Sequence, residues 1–115
     1  MKSVDIDDVG YLYIIKNIGS KNPWHKVGRT RDPIRRLINY NASFPEDVMV
    51  YSYVSEKLYN IKHAERELLD MLCANPKIRK KKLEWFRYVS CAQHLVPWIT
   101  RRIEKLTDTY YLGDD

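Results

Sequence analysis

Two β-prone stretches lie so close together that they dictate how the fold must begin. Residues 10–17, Gly-Tyr-Leu-Tyr-Ile-Ile-Lys-Asn, are rich in aromatic and β-branched side chains and read as a strand. Gly19, Ser20, Asn22 and Pro23 supply turn chemistry, and Trp24-His25-Lys26-Val27-Gly28 follows as a second short strand. With so few residues between them, the two strands are expected to pair as a hairpin.

The hairpin is followed by a helix start. In Asp32-Pro33, the Asp side chain can accept from the free N–H groups of the first turn, and Pro fits the first helical position because no donor is needed there. This helix should carry Ile34, Leu37 and Ile38 on one side and end near Asn41. Val48 to Val54 reads as a third strand, with Val48, Val50 and Ser52 facing one way and Met49, Tyr51 and Tyr53 the other. A second helix is expected over 60–74, where Ile61, Ala64, Leu68 and Leu72 recur at helical spacing, and Asn75-Pro76 stops it. The basic run 77–82 reads as a solvated loop leading to Trp85, Phe86 and Tyr88, of which Trp85 and Phe86 read as core. Ser90 with Gln93 is a capping-box signature for a last helix to about Leu106, kinked or delayed by Pro97.

The order β-β-α-β-α-α implies an α+β domain with a small three-stranded, mainly antiparallel sheet flanked by helices. The expected organisation is an N-terminal extension over 1–9, one domain over 10–106 and a C-terminal tail over 107–115. A chain of 115 residues with 44% hydrophobic side chains supports one core and leaves little room for a second. Cys73 and Cys91 lack zinc-ligand spacing and read as reduced thiols. No apolar run approaches the roughly 20 residues that span a bilayer. A soluble intracellular protein, in cytoplasm or nucleus, is expected.

A net charge of +5 favours an anionic partner. There is no Gly-rich phosphate loop, no Gly-x-Ser-x-Gly elbow and no pair of histidines at ligand spacing. Instead, Lys26, Arg29, Arg31, Arg35 and Arg36 gather near Tyr11, Tyr13 and Tyr40. Guanidinium forks match phosphate oxygens. A tyrosine hydroxyl can orient a water, or accept its proton where cations lower its pKa. Glu65 or Glu67 on the second helix could hold a hard divalent cation. These are parts for phosphodiester hydrolysis, although each also has a plain structural role available, as strand packing, surface ion pair or solvated helix face.

Gly10-Tyr11-Leu12-Tyr13, Lys26-Val27-Gly28-Arg29-Thr30 and Arg36-Leu37-x-x-Tyr40 together resemble the motif set of the GIY-YIG nuclease superfamily. Tyr13 matches the GIY tyrosine, Lys26 stands at the YIG tyrosine, and Arg36 matches the helical arginine. Tyr40 matches a position occupied by Tyr or His. Glu65, in Glu65-Arg66-Glu67-Leu68-Leu69, matches the metal-binding glutamate, with Glu67 as the alternative. Glu84-Trp85-Phe86 and the lysine at the YIG position resemble a branch of short phage and large-DNA-virus proteins.

The resemblance implies a Mg²⁺- or Mn²⁺-dependent endonuclease with Tyr13, Lys26, Arg36, Tyr40 and Glu65 as its catalytic set. Tyr13 and Lys26 would activate or orient the attacking water, Arg36 would stabilise the phosphate, and Glu65 would hold the metal. Arg29, Arg31, Arg35, Lys80, Lys81 and Lys82 are expected to contact nucleic acid, with DNA favoured over RNA and no membrane involved. A lone domain of this kind is expected to cut with low sequence specificity, to recognise a DNA shape, or to borrow targeting from self-association or a separate protein. The runner-up is a nucleic-acid-binding module of the same fold with weak or no catalysis. A third reading is a protein adaptor using Tyr110 and Tyr111.

Overall fold

The structure, a computed structural model, describes residues 8–18, 24–43, 48–81, 85–89 and 92–112. Strand β1 (Val9–Asn17) and β2 (His25–Thr30) pair antiparallel, as the hairpin reading requires, with Tyr13 opposite Gly28 and Ile15 opposite Lys26. Helix α1 (Pro33–Ser43) follows, then β3 (Met49–Val54), β4 (Leu58–Tyr59) and α2 (Ile61–Ala74). Strands β5 (Ile78–Lys81) and β6 (Trp85–Tyr88) precede a single 3-10 turn (Ala92–His94) and α3 (Leu95–Tyr110).

The α+β class and antiparallel sheet hold, but the sheet has six strands rather than three. Its order is β3-β1-β2-β6-β5, with β4 pairing to the start of β1 beyond the end of β3. Two of the three extra strands carry weak sequence signals. β4 has only two residues, too few for any periodicity. β5 lies in the basic run expected to be a loop, and it is an edge strand; exposed lysines and arginines on an edge discourage further pairing. Lys82 lies outside the described residues.

The sheet separates two unequal layers. On one face Leu12, Ile14, Val27, Ile78 and Phe86 pack with Leu68 and Leu72 of α2 and with Ile99, Ile103 and Tyr110 of α3. On the other, a small cluster of Tyr13, Ile15 and Met49 meets Leu37 and Tyr40 of α1, together with Tyr51, Val54 and Trp85.

A register shift sorts β3 between these faces. Ile14 pairs with Tyr53 while Ile15 pairs with Tyr51, so Ser52 is the extra residue of a bulge. Tyr51 therefore joins the α1 cluster and Tyr53 the larger core. Strict alternation had placed them on one face.

The helix signals fare better. Asp32 Oδ1 accepts from the Arg35 N–H at 3.0 Å, and Pro33 is the first residue of α1. Asn60 caps α2 in a left-handed conformation that asparagine tolerates, and Asn75 ends it by donating its N–H to the Leu72 carbonyl. Pro97 sits in the first turn of α3, where a missing N–H costs little, and the 3-10 turn precedes it. His94, with no side-chain bond to the helix, takes the cap position; Ser90 lies outside the described residues. α3 runs to Tyr110 rather than Leu106, because Tyr110 is part of the core. That burial removes Tyr110 as an exposed adaptor residue, while Tyr111 stays exposed.

α1 departs furthest from expectation. Leu37 packs toward the sheet, but Ile34 is 75% exposed and Ile38 61% exposed. The helix rests on β3 by Pro33, Leu37 and Tyr40, and the two isoleucines lie off that contact line.

Candidate functional site

Tyr13 comes from the middle of β1 and lies across β2. A Cβ on Gly28 would stand 2.6 Å from the Tyr13 hydroxyl oxygen, so the glycine of the Val27-Gly28 pair is the space the phenol occupies. The Tyr13 and Tyr40 hydroxyls share a hydrogen bond at 3.2 Å. The Lys26 ammonium lies 5.2 Å from the Tyr40 ring centroid, within cation–π range. Tyr51 meets Tyr13 edge-on, with centroids 5.4 Å apart, and donates its hydroxyl to the Pro33 carbonyl at 2.6 Å. The sheet and the start of α1 thus hold the phenol from both sides.

Burial pushes the Tyr13 hydroxyl well above the ordinary tyrosine range, and the Tyr40 hydrogen bond and charge add to this; Arg36 pulls it back only in part. Burial also pushes Tyr51 up to about 12, again against the pull of Arg36. Tyr13 is therefore a phenol near neutral pH, suited to donating a hydrogen bond or orienting a water. Proton abstraction would require stronger cationic support than Arg36 provides.

Arg36 is exposed and lines two neighbouring cavities. One, of about 310 Å³, is shared with Lys26, Asn39, Tyr40 and Ser43. The other, of about 290 Å³, is shared with Arg29, Thr30, Arg31 and Lys62, with Asp8, Val9 and Ile61 completing the wall. Thr30 accepts from the Asp32 N–H through its hydroxyl at 3.1 Å, which fixes the corner between β2 and α1 and hence the placement of Arg36.

The site residues expected from the sequence divide into two groups. Tyr13, Lys26, Tyr40 and Arg36 converge on the α1 face. Arg29 does not, because its partner across the β1–β2 pair is Leu12, a residue of the larger core on the opposite face. There it donates to Glu65 of α2 at 3.1 Å. The two groups meet only around the end of the strands, where Arg29 and Arg36 line the same cavity.

The glutamates are also separated. Glu67 lies 3.4 Å from His63 and interacts with Tyr110, away from β2, whereas Glu65 reaches β2 through Arg29. Arg31 lines the cavity, and Arg35 is exposed on α1 outside both cavities. Lys81 shares the sheet face of Trp85, and Lys80, opposite Phe86, points to the other.

The sequence did not single out Tyr51, Gly28 or Asn39. Gly28 was legible as part of a motif, but its contact with Tyr13 depends on register. Tyr51 was hidden by the bulge at Ser52.

A metal must be weighed against this donor set. Among the described residues no three of His, Cys, Asp or Glu gather in a metal-binding group. Protein ligands alone therefore do not build a closed metal site there; a hard cation such as Mg²⁺ is commonly held by one or two carboxylates with water and phosphate oxygens, and Glu65 is the α2 carboxylate that reaches β2. Arg29 engages one of its two carboxylate oxygens, Oε1.

No helix among the described residues is long and apolar enough to cross a membrane. Comparison with protein families matches residues 10–108 to the T5orf172 domain, a phage-associated domain related to nuclease-associated modules of GIY-YIG and HNH-like type. No curated protein and no solved structure matches the chain.

Proposed function

The chain belongs to the T5orf172 domain family, and from that premise we propose that it is a DNA endonuclease of the GIY-YIG type, hydrolysing phosphodiester bonds with Mg²⁺ or Mn²⁺. The observation that carries this reading is the convergence of Lys26, Tyr40 and Arg36 on one cavity of the α1 face, with the buried Tyr13 hydroxyl behind them on Tyr40.

In this mechanism the scissile phosphate lies against Arg36, whose exposed guanidinium donates to the charge that grows on the phosphate oxygens. Preorganised donors of this kind typically contribute about 10²–10³ in rate. Tyr13, held as a phenol, orients the attacking water through its hydroxyl, and Tyr40 fixes that hydroxyl from the other side. Lys26 adds positive charge where a family tyrosine would offer a second hydroxyl, so it binds and steers rather than replacing the phenol. Glu65 would be the carboxylate ligand of the metal, which when bound supplies Lewis-acid stabilisation of the leaving oxygen.

A second reading is a nucleic-acid-binding module without useful catalysis. It is favoured by one observation, the Arg29–Glu65 pair, which already engages one oxygen of the carboxylate that a metal would need.

Nicking of supercoiled plasmid and cleavage of branched DNA distinguish the two, each run with Mg²⁺, with Mn²⁺ and with chelator. Arg36→Ala is expected to lower metal-dependent cleavage by roughly two to three orders of magnitude, with a much smaller loss of binding. Tyr13→Phe and Glu65→Ala should lose cleavage while remaining folded. Salt-sensitive binding with no cutting under any condition would establish the binding module instead.

A further inference from the structure

The α1 face of the sheet continues past the site into a surface that the mechanism does not use. Directly opposed residues of antiparallel strands point to the same face. Ile15, Lys26, Trp85 and Lys81 therefore form one row across β1, β2, β6 and β5. In the next row Arg79 of β5 stands opposite Arg87 of β6. Beside Arg87 lies Trp24, whose ring centroid is 5.4 Å from the Arg87 guanidinium carbon and 5.0 Å from the Lys81 ammonium. Two half-buried indoles thus alternate with Lys26, Lys81, Arg79 and Arg87.

Two features point to an anionic ligand. Arg79 and Arg87 are directly opposed across the strands; Arg79 donates to the Pro76 carbonyl at 3.0 Å and Arg87 lies against Trp24, but neither contact neutralises the like charges, as a bound anion would. Among the described residues, no carboxylate forms an ion pair with Arg79, Lys81 or Arg87. Protection of the sheet edge accounts for lysines on β5, and packing against the α1 cluster for Trp85, but neither accounts for Arg87 beside Trp24.

We propose that this surface binds an unpaired nucleic-acid strand, with a base stacking on Trp24 and flanking phosphates on Lys81, Arg87 and Arg79. A duplex presents its backbone and keeps its bases stacked inside, so it has use for the cations but none for the indole faces. A single strand uses both. Lys26 belongs to the site and to this row, and two strand spacings, about 10 Å, separate it from Lys81. The surface thus holds nucleotides next to the scissile phosphate. Resting on the nuclease reading, this makes the substrate class DNA with an unpaired segment beside the cut, such as a branch or flap.

The test is binding in chelator, independent of cleavage. Fluorescent oligo-dT and a duplex of equal length are titrated with wild-type protein, Trp24→Leu, Trp24→Phe and the double variant Lys81→Gln/Arg87→Gln. Trp24→Leu is expected to weaken oligo-dT binding about five- to hundredfold, as loss of one stacked base does, and to leave duplex binding within about twofold. Trp24→Phe should retain most of the affinity, which also reports that the face is intact. The double variant should weaken both ligands and flatten the salt dependence. Binding of oligo-dT should quench the intrinsic tryptophan fluorescence in proportion to occupancy. Equal weakening of both ligands by Trp24→Leu would show that Trp24 only positions the two cations and would overturn the proposal. So would unchanged oligo-dT affinity. Either result leaves the plasmid assay, and the nuclease reading, standing.

Discussion

The two faces of one sheet follow different rules. Under α2 and α3 the side chains are large, apolar and fully buried: Leu12, Ile14, Leu68, Leu72, Phe86, Ile99 and Ile103 interdigitate with no charge among them. Under α1 the cluster is small and phenolic, and α1 itself has no buried residue. Close packing of apolar atoms supplies most of a domain's stability and tolerates little change. Open, polar, cation-rich surface supplies little stability and remains accessible to a ligand. One face is therefore left open to a ligand because the other holds the chain together.

The sharpest test of that contrast is Leu68→Ala. It should cost about 2–5 kcal/mol in urea unfolding, the usual range for deleting a fully buried leucine. Arg36→Ala should change stability by no more than about 0.5 kcal/mol. Comparable losses from the two would erase the division between faces.

Gly28→Ala probes where the faces meet the site. The new methyl must displace the Tyr13 phenol, and overpacking of this kind costs typically about 1–3 kcal/mol. Cleavage should fall as it does in Tyr13→Phe, and a crystal structure of the variant would show the tyrosine moved. Retention of full activity would mean that the position of Tyr13 is not critical.

Asp32→Ala removes the cap of α1 and should cost about 1 kcal/mol, with Asp32→Asn close to neutral. Because α1 carries Arg36 and Tyr40, the change should also reduce cleavage, whereas an equal loss of stability elsewhere should not.

The smallest expected effect is in alkaline solution. Burial pushes Tyr51 up to about 12 in the folded state from an ordinary value of 10.0. Its protonated form is thus favoured by folding. The associated stability is complete below pH 10 and is lost as pH rises from about 10 toward 12. Tyr51→Phe should flatten the fall in stability over that interval, as followed by urea midpoints. An unchanged slope would place the alkaline loss on other tyrosines, of which Tyr13, pushed up furthest, is the first to test and Tyr110, pushed up to about 12, the second.

The parts of the fold that were legible share a local origin. Asp32-Pro33 and Asn75-Pro76 bound helices because their effects act within one turn, and the hairpin followed from two strands a few residues apart. The phenol–lysine–arginine grouping was legible through motif order, with Tyr13, Lys26, Arg36 and Tyr40 all within 28 residues of sequence. What was hidden depended on distant pairing. β5 and β6 join the sheet through β2, about 60 residues away in the chain, by hydrogen bonds that any backbone can make. The bulge at Ser52 reverses Tyr53 without leaving a trace in the hydrophobic pattern.

By itself the sequence determined the first three strands, the three helices, the first two strand partners and which basic and phenolic side chains are on offer, since these rest on local backbone preference and side-chain chemistry. Tertiary structure alone decided which of them meet. Strand register sent Tyr13 and Lys26 to one face and Arg29 to the other, because side chains alternate along a strand and a shift of one residue exchanges the faces. Helix α2 then brought Glu65 to Arg29, and the sheet order set Trp24, Lys81 and Arg87 side by side beyond the site.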